Sequence, residues 1–223
     1  MDRPEIGRTA FVFDLDDTLY PEVDYVRSGR AHVCELLSDT LGNDLHDAVE
    51  AAVESGEKNW LGFLVREAGL PASALETLLW IYRLHPPKIT LGPGWAALLE
   101  RLERAGRPVL ILTDGRSITQ RLKLKALGLS HLPVLISEDW GSDKQDPARF
   151  RDVMARHPDD FWLYVGDNPA KDFLAPRTLG WHTVGMRTGE QGVHPQLRTD
   201  LGPNYQPEVW LDDAVALGRW LGL

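Results

Sequence analysis

The segment TAFVFDLDDT, residues 9–18, joins a short run of β-branched and aromatic residues to a cluster of carboxylates. A continuous apolar run bounded by polar residues is typical of a strand that is buried on both faces, as in parallel sheets. We therefore predict a buried strand over residues 9–14, which ends at Asp14. Ligands bind at the carboxyl ends of the strands in an open parallel sheet, so the carboxylates after this strand are candidate site residues.

The rest of the chain changes its periodicity twice. Residues 21–88 carry apolar residues at helical spacing, interrupted by Gly and Pro breakers, and show no strand-like run. From residue 91 onward, strand-like and helix-like stretches alternate, which indicates a doubly wound parallel sheet with helices on both faces. We therefore expect an α/β core domain of residues 1–20 and 89–223, with an all-helical domain of residues 21–88 inserted after the first strand.

The same patterns predict the individual elements. The later strands are expected at residues 107–113, 133–136, 161–165, 181–184 and 209–211. The helices are expected at residues 23–41, 44–56, 57–69, 72–85, 93–105, 117–127, 147–157, 170–179 and 212–221. Residues 186–207 combine Gly and Pro with mixed polarity, which predicts a long surface loop.

Composition limits the classes of function. The 223 residues are 43% hydrophobic and carry a formal net charge of −9, from 24 basic and 33 acidic side chains. A chain without a basic surplus is a poor candidate for binding nucleic acid or an anionic membrane. The single cysteine, Cys34, cannot form an internal disulfide, and the first ten residues lack the apolar core of a secretory signal. We expect a cytoplasmic protein without nucleic-acid or membrane partners, either a monomer or a homodimer.

Four predicted strand ends bring polar side chains to one edge of the sheet. In chain order these residues are Asp14 and Asp16, then Thr113, Asp114 and Gly115, then Lys144, and finally Asp167 and Asp172. Carboxylates that converge in this way repel one another, so the cluster needs a cation to neutralise it. Oxygen ligands without His or Cys favour Mg²⁺ over zinc.

These segments resemble the four ordered motifs of the haloacid dehalogenase-like superfamily. The matching stretches are FVFDLDDTLY, ILTDG, Lys144 with the following QDP, and VGDNPAKD. The helical insert has the position of the C1 cap, so the chain is similar to the C1-capped phosphatases of that superfamily. The resemblance implies a Mg²⁺-dependent phosphatase that acts through an aspartyl-phosphate. Its partner would be a small phosphorylated metabolite, such as a sugar phosphate or a nucleoside monophosphate.

The resemblance also implies a role for each motif residue. Asp14 is the expected nucleophile and also a metal ligand. Asp16 is the expected general acid–base, with its backbone carbonyl on the metal, and Asp167 completes the metal ligands. The expected phosphate-binding groups are Thr113, Lys144 and the backbone N–H groups of Asp114 and Gly115. We expect Asp172 to orient Lys144 without binding the metal itself.

Residues beside the motifs are expected to play supporting roles. Asp17 is predicted to brace its loop, because alternate residues of an extended chain point apart. A solvated helix face is predicted for four basic residues, Arg116, Arg121, Lys123 and Lys125. Gln145 stands where the family commonly has proline, which removes a stiffening of the turn that carries Lys144.

The helical insert is expected to act as a lid that excludes water and supplies specificity. Its polar candidates for contact with the leaving group are Tyr25, Arg30 and His85. Two other functions are the main alternatives, and a phosphonate hydrolase, which would need a Schiff-base lysine such as Lys58 in the insert, also stays open. A phosphomutase uses the same aspartates and recycles a bisphosphate. A non-catalytic phosphoacceptor also places Asp, Thr and Lys at strand ends, but it needs neither the Asp14–Asp16 pair nor a lid.

Overall fold

Short apolar runs form the strands, and the strands form one parallel sheet. The computed structural model describes residues 5–158, 160–189 and 192–223. The strands are β1 (Thr9–Phe13), β2 (Val109–Thr113), β3 (Val134–Ile136), β4 (Phe161–Gly166), β5 (His182–Met186) and β6 (Val209–Leu211). They lie in the order β3-β2-β1-β4-β5-β6, and every neighbouring pair is parallel. The predicted doubly wound α/β fold is confirmed.

The helices follow the strands and also fill the insert. In chain order they are α1 (Glu22–Leu41), α2 (His46–Glu54), α3 (Trp60–Glu67), α4 (Ala74–Leu84), α5 (Trp95–Arg104), α6 (Ser117–Ala126), α7 (Ser137–Trp140), α8 (Ala148–Arg156), α9 (Leu174–Thr178) and α10 (Ala214–Leu221). The chain divides into two compact units. One unit comprises Met1–Val23 and Thr90–Leu223, and the other comprises Asp24–Ile89.

The central position of β1 decides where polar side chains meet in the α/β unit. All five residues of β1 are buried, with β2 on one side and β4 on the other. Chain order reverses at this point, since β2 and β3 extend one way from β1 and β4 to β6 the other. Such a reversal leaves a crevice beyond the carboxyl ends of the strands, where open α/β sheets bind ligands.

The core of the α/β unit packs aromatic rings against the sheet. Phe150 of α8 lies edge-on to Tyr164 of β4, with ring centroids 5.2 Å apart, and edge-on to Trp181 at 5.3 Å. Val12 of β1 and Phe173 belong to the same buried cluster. Edge-to-face pairs of this kind add to the gain from apolar burial, so α8 is held firmly against the strands that carry the site.

The helical unit has a core of its own. Buried residues from all four of its helices form this core, namely Val33, Cys34, Leu37, Val49, Leu61, Leu64, Val65 and Leu78. The side chains predicted to contact a leaving group bond to residues within the unit. Arg30 donates two hydrogen bonds of 2.6 Å to Glu50, and His85 lies 3.0 Å from Ser28 Oγ. The Tyr25 hydroxyl lies 3.4 Å from the Arg83 carbonyl, and contact with substrate stays a prediction for all three.

The observed elements differ from the predictions mainly at helix ends. The helix predicted at residues 170–179 begins only at Leu174, because Asn168 Oδ1 accepts a hydrogen bond from the N–H of Ala170 and holds a turn there. α7 was missed, since four residues show no helical period. The predicted loop over residues 186–207 includes a 3₁₀ turn, Pro203–Tyr205, and its residues 190–191 lie outside the described part. Within the described residues, no helix has the length and apolar character needed to cross a membrane.

Candidate active site

The carboxyl ends of β1, β2 and β4 surround a cavity of about 110 Å³. Its lining residues are Asp14, Asp16, Glu22, Thr113, Asp114, Lys144, Asp167, Asn168, Lys171, Asp172 and His194. Seven of the eight residues expected at the site from the sequence are in this set; Gly115 is not. The cavity therefore collects residues from every predicted motif, and carboxylates outnumber cations along its wall.

Lys144 lies between two carboxylates at the base of the cavity. Its side chain is only 4% exposed, and its Nζ lies 2.6 Å from Asp14 Oδ1 and 2.8 Å from Asp172 Oδ1. Burial disfavours the charged amine, but the carboxylates of Asp14 and Asp172 outweigh burial and raise the pKa of Lys144 well above its usual value. The charged ammonium form is therefore favoured, and it lies beside Asp14.

Asp172 organises the loop that follows β4. Its Oδ2 accepts hydrogen bonds from the backbone N–H groups of Asp167, at 2.9 Å, and Asn168, at 2.7 Å. A Cβ atom on Gly166 would lie 2.5 Å from the same oxygen, so only glycine leaves room for the carboxylate there. Asp172 thus joins the end of β4 to Lys144 through its two oxygens.

Three carboxylates in the cavity have the arrangement of a metal site. Asp14, Asp167 and Asp172 each offer an oxygen, and these oxygens lie within 4.8 Å of one another. Asp167 is 2% exposed, and its Oδ2 has no hydrogen-bond partner among the described residues. Burial and the charges of Asp172 and Asp14 raise the pKa of Asp167 to about 10, and burial raises that of Asp14 to about 7. An all-oxygen set that resists ionisation without a cation fits a hard divalent ion such as Mg²⁺.

The carboxylate of Asp16 lies apart from that group. Its Oδ1 is 2.7 Å from Lys123 Nζ and accepts a hydrogen bond from the Tyr20 hydroxyl, while its Oδ2 accepts from Gln120 Nε2 at 2.9 Å. Burial raises the pKa of Asp16, but the Lys123 charge and the hydrogen bonds outweigh burial, so this pKa lies below the usual value. Asp16 is therefore a carboxylate held by donors on both oxygens.

The prediction that Lys123 belongs to a solvated helix face was wrong. Lys123 is 4% exposed and lies one turn after Gln120, so both side chains project from the buried side of α6. Arg116 and Arg121 do lie at the surface, where they pair with Glu138 and Asp139. The sequence around Lys123 predicts a solvated lysine, because its partner, the Asp16 carboxylate, is 107 residues away along the chain.

The second motif differs from expectation in its backbone. The Gly115 N–H donates to Ser137 Oγ at 2.9 Å, and the Ser117 N–H, at the start of α6, donates to Glu138 Oε2 at 2.7 Å. The expected anion site at this helix start is thus already capped by a side-chain carboxylate. Thr113 and Asp114 remain at the cavity wall.

Arg149 is a site residue that sequence reasoning missed. This fully buried side chain of α8 donates to the Thr113 carbonyl at 2.9 Å and to Asp114 Oδ1 at 2.6 Å. Arg149 therefore holds the end of β2 in place through Thr113 and Asp114. Glu22 was also missed, because an acidic residue in the first turn of a helix is ordinarily explained by the helix dipole. Burial and the Asp16 charge raise the pKa of Glu22 to about 7.

Two loop residues hold the turns that carry the site. Asp17 has a φ of 53° and accepts hydrogen bonds of 2.8 Å from the backbone N–H groups of Glu22 and Val193, so it braces its loop as predicted. Gln145 does not stiffen its turn as proline would, but its Nε2 donates a hydrogen bond of 3.2 Å to the Ala170 carbonyl. This bond joins the Lys144 turn to the loop after β4.

Known proteins have sequences similar to this chain. The family model for haloacid dehalogenase-like hydrolases matches residues 9–180. A glyceraldehyde 3-phosphate phosphatase from Methanopyrus kandleri is 26% identical over an alignment of 231 positions, which covers 94% of this chain and 98% of that protein. A phosphoserine phosphatase from Thermus thermophilus is 32% identical over 157 residues, 68% of this chain and 62% of its own length.

A solved structure shows the same fold. The HAD-hydrolase YfnB from Bacillus subtilis, crystallised with bound magnesium, superimposes with a TM-score of 0.64 at 22% sequence identity. The match covers 97% of this chain and 99% of that one.

Proposed function

Because this chain belongs to the haloacid dehalogenase-like hydrolases, we propose that it is a Mg²⁺-dependent phosphatase of small phosphate monoesters that acts through a phosphoryl group on Asp14. The observation that carries the proposal is the contact of 2.6 Å between Asp14 and the buried ammonium of Lys144 at the end of the central strand. A carboxylate placed there faces the cavity and has a fixed cation beside it. Such a cation offsets the charge of an incoming phosphoryl group.

In the proposed first step, an oxygen of Asp14 attacks the phosphorus of the ester. The bond between phosphorus and the ester oxygen breaks, and the departing oxygen takes a proton from Asp16. In the second step, water attacks the phosphorus and gives a proton to Asp16. The bond between phosphorus and the Asp14 oxygen breaks, and inorganic phosphate leaves. Both oxygens of Asp16 accept hydrogen bonds in this structure, which is the form that takes the proton from water.

Fixed positive charge and hydrogen-bond donors would hold the phosphoryl oxygens. We assign this role to Lys144, the Thr113 hydroxyl and the Asp114 backbone N–H. The Mg²⁺ ion would be held by the carboxylates of Asp14 and Asp167 and by the backbone carbonyl of Asp16. When bound, it supplies charge that neutralises the acidic cavity and the phosphoryl oxygens. We assign Asp172 to the orientation of Lys144, since its Oδ1 lies 2.8 Å from the ammonium.

The proposed substrate is a small soluble ester, and residues 21–88 are proposed to be the cap that selects it. Two relatives are named for phosphatase activity on glyceraldehyde 3-phosphate and phosphoserine, both esters with a three-carbon skeleton. Their names favour short leaving groups. Sugar phosphates and nucleoside monophosphates are the other classes that the sequence motifs suggest.

The test is phosphate release from a panel of these four ester classes, with Mg²⁺ and with a chelator. Wild-type protein is compared with Asp14→Asn, which keeps the side-chain shape and removes the nucleophile. We expect many phosphates released per chain in wild type with Mg²⁺, and release at background level in the variant or with the chelator. A single stoichiometric phosphorylation without turnover would instead support the phosphoacceptor, and isomerisation of a phosphosugar would support the mutase.

A further inference from the structure

Gln120 of α6 connects residues of two motifs. Its Nε2 lies 2.7 Å from Thr113 Oγ1, 2.9 Å from Asp16 Oδ2 and 3.1 Å from the Asp114 carbonyl oxygen. The side chain is 1% exposed. Its polar contacts are therefore made with the protein, and a buried amide in this position is costly unless it is bonded.

The chemistry of the neighbours fixes the direction of these hydrogen bonds. A carboxylate and a backbone carbonyl can only accept, so the amide must present its NH₂ group to Asp16 and Asp114. An amide nitrogen accepts no hydrogen bond, so the Thr113 hydroxyl, at 2.7 Å from it, also accepts, and the two N–H groups are shared among three acceptors. Its own hydrogen is consequently directed away from Gln120.

That hydrogen has no strong acceptor within the described protein. The remaining acceptor near the Thr113 hydroxyl is the Asp114 carbonyl, at 3.5 Å, which is too long for a strong hydrogen bond. Thr113 lines the cavity. The hydroxyl is thus prepared to donate to an anion in the cavity.

The backbone makes room for this arrangement. Gly115 has a φ of 144°, and a Cβ atom there would lie 3.0 Å from Gln120 Cδ. A side chain at residue 115 would therefore displace the glutamine and would also strain the backbone. Lys123, one turn further along α6, holds the other oxygen of Asp16 at 2.7 Å.

We infer that Gln120 is a positioning residue, which turns the Thr113 hydroxyl so that its hydrogen points into the cavity toward a bound phosphoryl oxygen. The inference rests on the proposed function, because it assumes that the anion in the cavity is a phosphoryl group. Gln120 itself does not line the cavity. It acts through Thr113.

A double-mutant cycle tests this dependence, with inorganic phosphate as the probe and its inhibition constant as the readout. Gln120→Met and Thr113→Val are each expected to weaken phosphate binding about tenfold, the loss of one hydrogen bond to a charged group. The double variant is expected to bind within about twofold of Thr113→Val alone, because both changes remove the same hydrogen bond. Effects that multiply to about a hundredfold would overturn the inference.

Two further variants, together with the behaviour of the wild type, make the result decisive. Lys125→Met, an exposed change on the same helix, should leave the inhibition constant unchanged. Gln120→Glu keeps the side-chain size, but its carboxylate accepts the hydrogen of the Thr113 hydroxyl. It should therefore weaken phosphate binding at least as much as Gln120→Met. An unchanged inhibition constant in Gln120→Glu would overturn the inference even if Gln120→Met does not fold. Wild-type protein that neither binds nor releases phosphate would refute the proposed function. Wild-type protein that does both, with a multiplicative cycle, would refute only the role of Gln120.

Discussion

At the scale of single residues, Arg149 shows how the floor of the site is held. Its guanidinium is fully buried and donates to Asp114 Oδ1 at 2.6 Å and to the carbonyls of Thr113, at 2.9 Å, and Leu135, at 3.4 Å. One side chain therefore joins the ends of β2 and β3. Removing it would leave a carboxylate and two carbonyls without this donor.

Arg149→Met is expected to lower the free energy of unfolding by about 3 kcal/mol, because the Asp114 carboxylate would lose the buried cation that it is paired with. Urea denaturation measures the change. The control is Arg151→Met on the same helix, where the side chain is exposed and the change should stay within about 0.5 kcal/mol. Equal effects of the two substitutions would contradict the structural role given to Arg149.

Strand ends show in the sequence, but the partners of their side chains do not. Asp14 and Asp167 directly follow apolar runs, and Lys144 lies in the polar loop after the third run, so their convergence could be predicted from the parallel-sheet rule. Gln120 and Lys123 could not, since a polar residue in a helix is ordinarily solvated. Their burial depends on Asp16 lying across from α6, a contact set by the sheet and invisible to local periodicity.

At the scale of elements, the loop between β4 and α9 depends on close approach at Gly166. Gly166→Ala would place its Cβ 2.5 Å from Asp172 Oδ2, an oxygen of a fully buried residue that accepts hydrogen bonds from two backbone N–H groups. We expect a destabilisation of about 1–3 kcal/mol, as for overpacked cores, together with reduced phosphate release because Asp172 loses its hold on Lys144. Thermal unfolding and kcat/KM measure the two effects.

The same substitution elsewhere supplies the control. Gly218 lies inside α10, where the nearest heavy atom to an added Cβ is 3.8 Å away. Gly218→Ala should therefore raise the free energy of unfolding by about 0.5–1 kcal/mol through helix propensity. If Gly166→Ala also stabilised the protein, the close contact with Asp172 would be refuted.

Element types followed from the sequence more reliably than element ends. The alternation of apolar runs and periodic stretches predicted every strand of the sheet, because buried strands need continuous apolar residues. α9 was predicted four residues too early. The side chains of Asn168 and Asp172 bind backbone N–H groups there, and this competes with helix formation.

At the scale of the whole molecule, the reactivity of the Cys34 thiol measures how tightly the helical unit is packed. It is the single cysteine of the chain and lies fully buried in the core of that unit. Burial raises the pKa of its thiol to about 11, two units above the ordinary value of 9.0. The thiolate is the reactive form, so at pH 8 its population is lowered about a hundredfold.

A thiol reagent at pH 8 is therefore expected to label native protein at least about a hundredfold more slowly than protein in urea, where labelling should reach one thiol per chain. The rate of release of the reagent's chromophore measures this. Equal rates in the two conditions would show that Cys34 is accessible in the native state and would contradict the packing of the helical unit.

Metal binding should stabilise the folded protein. If Mg²⁺ binds the folded chain alone, a concentration one hundred times its dissociation constant adds about 2.7 kcal/mol. The midpoint of thermal unfolding should rise with Mg²⁺ in wild type and in Asp39→Asn, an exposed control in the helical unit. It should not rise in Asp167→Asn, which removes a buried carboxylate whose Oδ2 has no hydrogen-bond partner in the described part of the chain. An equal rise in all three would place the ion elsewhere.

The central claim is that the phosphoryl group passes through Asp14, and chemical trapping tests it most directly. Protein is mixed with an ester that it hydrolyses and with Mg²⁺, quenched, and treated with borohydride, which reduces an acyl phosphate to an alcohol and leaves free carboxylates unchanged. Tandem mass spectrometry then locates the reduced residue. We predict homoserine at residue 14, and only when ester and Mg²⁺ are both present. Phosphate release without reduction at residue 14, or with reduction at another aspartate, would contradict the account.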